Sequence, residues 1–218
     1  ARGTCITREI RPGFQGLHGV SPAMDVSEQR FMAADPTGTE FLRLARASIE
    51  YGLDYGDPLP VDLAGLPEAL TEPGATFTTL RLHEKLRGCC GNLEAEHPLA
   101  TDVTRSAFQA AFRDPRFEPV RRDELVAIRL EVSVLSPLEL LPASDEEQLL
   151  SQLSAGVDGL VIIEGQRRAT FLPKVWESLP QPRHFLQQLR VKCGLPKDYW
   201  SERLEFRRYQ TTTYLEPE

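Results

Sequence analysis

The chain has 218 residues, 41% of them hydrophobic, enough for one large domain or two intimate subdomains around a proper core. Its formal net charge of −7 argues against a general nucleic-acid binder, whose surface ordinarily carries a basic footprint. No apolar run approaches the ~20 residues that a membrane span requires, so no membrane partner is expected. The four cysteines, Cys5, Cys89, Cys90 and Cys193, form no CxxC pair, and a reduced, cytoplasmic chain without a zinc site is the simplest reading.

Residues 1–36 carry scattered Gly and Pro and no sustained period. They read as an irregular N-terminal extension, with Met24 and Met32 as alternative starts, and no function is assigned to them. Residues 37–218 read as the ordered part of the chain, a single domain. Thr37-Gly38-Thr39 precedes Phe41, Leu42, Leu44, Ala45 and Ile49, an amphipathic helix expected to end near Gly52. A Pro- and Gly-rich loop with one helical turn leads to a hairpin, Ala75–Leu82, a turn at His83–Lys85, and a second strand from Leu86. After His97-Pro98 comes a helix through Val103, Ala107 and Ala110, halted at Asp114-Pro115.

Val126, Ile128, Leu130, Val132 and Val134 alternate with polar neighbours as a half-buried strand, leaving Arg129 and Glu131 on its other face. Ser144-Asp145-Glu146-Glu147 reads as a capped helix start. Gly159–Glu164 and Arg168–Phe171 flank Gly165-Gln166 as a second hairpin. Pro173 opens a short helix carrying Trp176, and Pro182 opens another with Phe185, Leu186, Leu189 and Val191 inward, closed at Gly194. Leu204–Tyr214 reads as one last strand. Hairpins without regular βα alternation predict an α+β fold, an antiparallel sheet with flanking helices.

The stretch Leu86-Arg87-Gly88-Cys89-Cys90-Gly91 is an unusual way to build a strand. Glycine weakens a strand interior and marks a bulge or a close backbone approach. A thiol beside a guanidinium is the setting in which a thiolate is stabilised. Simple alternation puts Arg87 and Cys89 on one face and Leu86 and Cys90 on the other. Cys89 is therefore the candidate nucleophile or acceptor thiol; the competing reading is a buried space-filler, and Cys90 is read as core. Gly88 and Gly91 could present backbone amides to a phosphate or carboxylate, with Arg87 forming a bidentate contact, or could mark a packing bulge. A Cys–His hydrolase needs a base beside the thiol, and none of His18, His83, His97 or His184 has a spacing that argues for one. No two metal ligands share a recognisable spacing, and no cofactor is expected.

Asp114-Pro115-Arg116-Phe117 reads as a helix stop with an Asp–Arg pair. Glu131, a mid-strand carboxylate, requires water, Arg129 or a cleft. Trp176 either lines a cleft or fills a core.

These segments together resemble the AMMECR family, the protein-A component of the AmmeMemoRadiSam gene group. The resemblance is carried by Leu86-Arg87-Gly88-Cys89 with Gly91 and Leu93-Glu94-Ala95, by Ala107 to Phe117, and by Glu131 to Pro137. Gly156 to Leu160, Phe171-Leu172-Pro173 and Cys193-Gly194-Leu195 complete it. Where the family signature reads LRGCIG, this chain has Cys90 for isoleucine, so only Cys89 matches the signature thiol. Cys193 stands where the family commonly has a small residue.

The resemblance implies two subdomains with the signature near the cleft between them. It also implies association with a Memo-like protein, related to metal-dependent ring-opening dioxygenases, and with a radical S-adenosylmethionine enzyme. It supplies no agreed activity. The expected function is binding or modification of a small molecule or peptide at a site containing Arg87, Gly88, Cys89 and Gly91, with Glu131 and Trp176 as further members. The alternative is an interaction module in which the motif is structural.

Overall fold

The structure is a computed structural model that describes the strand Arg30–Phe31 and residues 36–217. The expectations for residues 1–29, including the alternative start at Met24, His18 and Cys5, lie outside the described residues, as does Met32. In chain order the elements are β1 (Arg30–Phe31), α1 (Pro36–Tyr55), α2 (Glu68–Thr71), β2 (Pro73–Gly74), β3 (Thr76–Leu82) and β4 (Lys85–Gly91). Then follow β5 (His97–Pro98), α3 (Leu99–Phe112), β6 (Ile128–Leu135), β7 (Glu139–Leu140), α4 (Glu146–Gln152) and β8 (Gly159–Glu164). The chain ends with β9 (Arg167–Phe171), α5 (Pro182–Lys192), β10 (Leu204–Tyr209) and β11 (Thr211–Leu215). Short 3₁₀ helices occupy Arg122–Glu124 and Pro173–Glu177. The described residues divide into two compact units, one holding residues 36–137 and 211–217 with β1, the other residues 138–210.

In the first unit a five-stranded sheet runs β1-β11-β6-β3-β4, antiparallel except for the parallel pair β1–β11. Helices α1 and α3 cover one face. Phe41, Leu42, Ala45 and Ile49 of α1 recur at helical spacing and pack with Val103, Ala107 and Ala111 of α3 over Leu80, Leu130 and Val132 of the sheet. Burying each large side chain contributes about 1.5–3 kcal/mol, so this stripe rather than helix propensity holds α1 in place. Pro36 starts α1, where its fixed φ suits the first turn. The helix runs one turn beyond the expected Gly52, to Tyr55, because the residue with positive φ is Gly56, whose N–H returns to the Gly52 carbonyl at 2.9 Å.

The second unit is a four-stranded antiparallel sheet, β7-β10-β8-β9, with α4 and α5 packed on Leu160, Ile162, Phe171 and Phe206. Asp145 caps α4 by accepting the Gln148 N–H at 2.8 Å, as the acidic start predicts. In α5 Phe185, Leu186 and Leu189 are buried, but Val191 is 53% exposed and does not join the core. The run Leu204–Tyr214 is two strands, not one. It breaks at Gln210, and its halves pair in different sheets, β10 with β8 and β11 with β6. Helices and antiparallel sheets combine as the sequence predicts, and the fold is α+β.

Candidate functional site

The motif forms β4, the edge strand of the first sheet. Its hairpin with β3 closes through a two-residue turn in which His83 and Glu84 both have positive φ (49° and 63°). The register runs Leu82↔Lys85, Arg81↔Leu86, then Leu80↔Gly88 and Thr79↔Cys89, so Arg87 is an extra residue in a bulge. Simple alternation therefore fails. Leu86 is 40% exposed while Cys90 is fully buried, and Arg87 and Cys89 do not form the expected same-face pair.

Arg87, Gly88, Cys90 and Gly91 are each engaged in packing or pairing. Arg87 forms a two-pronged contact with Glu124, Nε to Oε1 at 2.7 Å and Nη2 to Oε2 at 2.9 Å, which pulls the Glu124 carboxyl below its usual range. A Cβ at Gly88 would lie 2.1 Å from the Ala110 carbonyl oxygen, because α3 crosses β4 there. A Cβ at Gly91 would lie 2.3 Å from the Thr76 oxygen and 2.5 Å from the Phe77 ring. Cys90 sits opposite Thr78 and is fully buried in the core, as the sequence reading of this residue expects.

Cys89 faces away from the helices. Its N–H and C=O point outward along the sheet edge, where Asp114 Oδ2 accepts the N–H at 2.9 Å and Arg116 Nη2 donates to the carbonyl at 3.5 Å. Asp114 and Arg116 are themselves forked together at 3.0 and 2.7 Å. With its backbone groups turned outward, Cys89 forms a non-hydrogen-bonded pair with Thr79, the kind that brings side chains closest. Thr79 Oγ1 donates to Cys89 Sγ at 3.4 Å. Cys89 keeps some surface, yet burial is the dominant influence and pushes its thiol up from the ordinary value. The Thr79 hydroxyl and the Arg116 charge pull down, and the Asp114 and Glu131 carboxylates push up again. The result is a thiol held neutral, the reverse of the thiolate that the Cys-Arg adjacency suggests.

Glu131 stands opposite Thr79 in β6 on the same face, so Cys89, Thr79 and Glu131 form one row across three strands. It is only 6% exposed, and its counter-charge is Arg81 Nε at 3.6 Å, where the sequence offers Arg129. Trp176 belongs to the second unit. It is 3% exposed, stacks on Phe185 at 3.8 Å and donates Nε1–H to the Asp158 carbonyl at 2.7 Å, the core reading of this residue. Cys193 lies in the same core. The first unit thus brings Arg87, Gly88, Cys89, Gly91 and Glu131 onto neighbouring strands, and Trp176 is not among them.

Sequence reasoning missed Thr79, Arg81, Asp114 and Arg116 as neighbours of Cys89. Only the Asp114–Arg116 pairing is visible locally; the others depend on the bulged register. Among the described residues no three His, Cys, Asp or Glu side chains come together as a metal site, and no helix is long and apolar enough to cross a membrane.

An α+β chain with an edge-strand LRGCCG hairpin and a second antiparallel sheet is the class this geometry defines. The AMMECR1 family model matches residues 42–214, and the chain belongs to that family. It is 34% identical over 189 residues to protein MJ0810 of Methanocaldococcus jannaschii, covering 83% of this chain and 90% of that one. It is 33% identical over 165 residues to protein NEQ441 of Nanoarchaeum equitans, covering 72% and 88%. The crystal structure of the uncharacterized protein PH0010 from Pyrococcus horikoshii superposes with a TM-score of 0.75 at 31% identity, over 81% of this chain and 89% of that one.

Proposed function

We propose that the protein is a binding component that takes a small molecule or peptide on the sheet face bearing Cys89, Thr79 and Glu131, and that it is not a thiol hydrolase. One observation carries this reading: burial and two carboxylates hold the Cys89 thiol neutral, while Arg87, the expected activator, is committed to Glu124. Nucleophilic catalysis requires a thiolate or a base poised to make one. Arg87, Gly88 and Gly91 then serve as the scaffold that seats β4 against α3, with Cys89 and Glu131 as ligand-facing residues. The family resemblance supports a place beside a Memo-like protein and a radical S-adenosylmethionine enzyme, and the cysteine usage of the sequence favours a cytoplasmic setting. Nucleic acid is disfavoured by the net charge of −7.

The same packing favours a second reading, an interaction module in which the motif only braces the hairpin. Site-resolved thiol labelling of the native protein from about pH 5 to about pH 9 tests the first reading. Cys89 is expected to label slowly at neutral pH, with a rate that rises only above the ordinary thiol range. Rapid labelling at neutral pH with a depressed apparent pKa would restore the nucleophile. Labelling seen only on unfolding would leave the interaction module.

A further inference from the structure

Next to the row of Cys89, Thr79 and Glu131 lies a second row on the same sheet face. Arg81 stands directly opposite Leu86 in β4 and directly opposite Arg129 in β6. Two guanidiniums facing each other across adjacent strands repel and weaken the pairing. The chain has no shortage of carboxylates to prevent this, with 32 acidic against 25 basic side chains. Yet only Arg81 has a carboxylate beside it, and Arg129 has none among the described residues. Arg81 has Glu131 at 3.6 Å, too far for a hydrogen bond, and donates Nη1 to the Glu84 carbonyl at 3.3 Å. Arg129 is exposed, bonds only the Pro217 carbonyl at 3.1 Å, and has no carboxylate partner among the described residues. Leu86, 40% exposed, is the apolar end of the row.

Arginine forks match carboxylate and phosphate oxygens, and two forks fixed in register by a sheet are preorganised for one such group. We propose that the row Leu86–Arg81–Arg129 is an oxyanion site, in which Arg129 and Arg81 hold a carboxylate or phosphate and Leu86 packs against the apolar part of the molecule that carries it. This inference rests on the reading of the Cys89 face as a ligand site and names the chemical class of that ligand.

The test is a titration of the full chain, followed at backbone amides by NMR, with inorganic phosphate and with succinate against chloride at matched ionic strength. Saturable shifts are expected at Arg81, Leu86 and Arg129. Arg129→Gln is expected to weaken the affinity by about tenfold, as loss of a charge-assisted contact does. Arg43→Gln, on the far helix α1 where Arg43 pairs with Glu40, is expected to leave it unchanged. Saturation by phosphate alone identifies a phosphate ester, and by succinate alone a carboxylate. No saturation beyond chloride, or equal affinity in Arg129→Gln, overturns the site. Saturation that leaves the Cys89 amide unmoved keeps the oxyanion site but overturns its link to the Cys89 face, which separates this failure from that of the parent reading.

Discussion

Asp114 closes the free edge of the first sheet by taking the backbone N–H of Cys89 at 2.9 Å, from a carboxylate whose side chain is 1% exposed. An exposed strand edge invites pairing with other chains, and Asp114 with Arg116 supplies the donor and acceptor that another strand would otherwise offer. The helix stop read from the sequence is therefore also an edge cap.

Removing this cap is expected to destabilise the first unit. Asp114→Ala takes away the acceptor of the Cys89 N–H and the Asp114–Arg116 ion pair, at a cost of about 1–3 kcal/mol. Burial, the largest single influence, raises the Asp114 carboxyl, but the hydrogen bonds from Arg116 and the Cys89 amide together outweigh it and hold the carboxyl below its ordinary value. Its stabilisation is thus complete above the unfolded carboxyl pKa and disappears as pH falls through the lower folded value. Urea unfolding should show the loss in Asp114→Ala, whereas Asp123→Ala, which removes an exposed pair with Arg121, should change stability by less than about 0.5 kcal/mol.

Asp102 is expected to act with the opposite sign. It is buried in α3 under the sheet, where Oδ2 accepts both the N–H and the hydroxyl of Thr76 at 2.7 Å. Burial raises its pKa from 3.8 to about 6, against the Thr76 bonds and the charges of His97 and Arg105. The folded state then binds the proton more tightly than the unfolded state, so this group makes the protein more stable as pH falls from above 6 towards 3.8. The difference is on the order of 3 kcal/mol at most. Asp102→Asn keeps an acceptor for Thr76 and removes the titration. Unfolding free energies at neutral and mildly acid pH should differ less in the variant than in the parent.

Gly88→Ala should destabilise through overpacking alone. The added methyl would meet the Ala110 carbonyl oxygen at 2.1 Å, and relief requires β4 and α3 to separate. Such insertions cost about 1–3 kcal/mol. Thermal unfolding checks this. A variant as stable as the parent would show that the strand–helix approach tolerates a side chain.

Much of the fold is legible in the sequence because its signals are periodic. The Phe41, Leu42, Ala45, Ile49 stripe and the alternation of Ile128, Leu130 and Val132 each settle one element and one buried face. What is not legible is register. A single extra residue, Arg87, reverses the faces of the residues before it in β4; Gly88 beside it signals a bulge in the sequence but not which residue is the extra one. The turn adds to this, since His83 and Glu84 take left-handed conformations usually signalled by glycine or asparagine. The break at Gln210 is hidden in the same way, because Leu204–Tyr214 alternates well enough to pass as one strand while its two halves serve different sheets. Cys89 was found by composition, but its neighbours Thr79 and Arg116 come from pairing and from a loop that the chain brings back to the edge.

The geometry separates two arginines that the sequence presents as alternatives. Arg87 is adjacent to Cys89 in the chain, but its guanidinium is held by Glu124, and Arg87 is not among the charges that shift the Cys89 thiol. Arg116 is 27 residues away, donates to the Cys89 carbonyl and lowers the thiol pKa by its charge. Arg87→Ala is therefore expected to cost stability, with a coupling to Glu124 of about 1–3 kcal/mol in a double-mutant cycle, because the pair is largely removed from solvent. It should leave the pH profile of Cys89 labelling in place. Arg116→Gln removes the favourable charge while keeping a donor, so the labelling profile should move to higher pH. Should Arg87→Ala move the profile and Arg116→Gln not, the thiol would answer to its neighbour in sequence, and the assignment of Arg87 to the scaffold would fail.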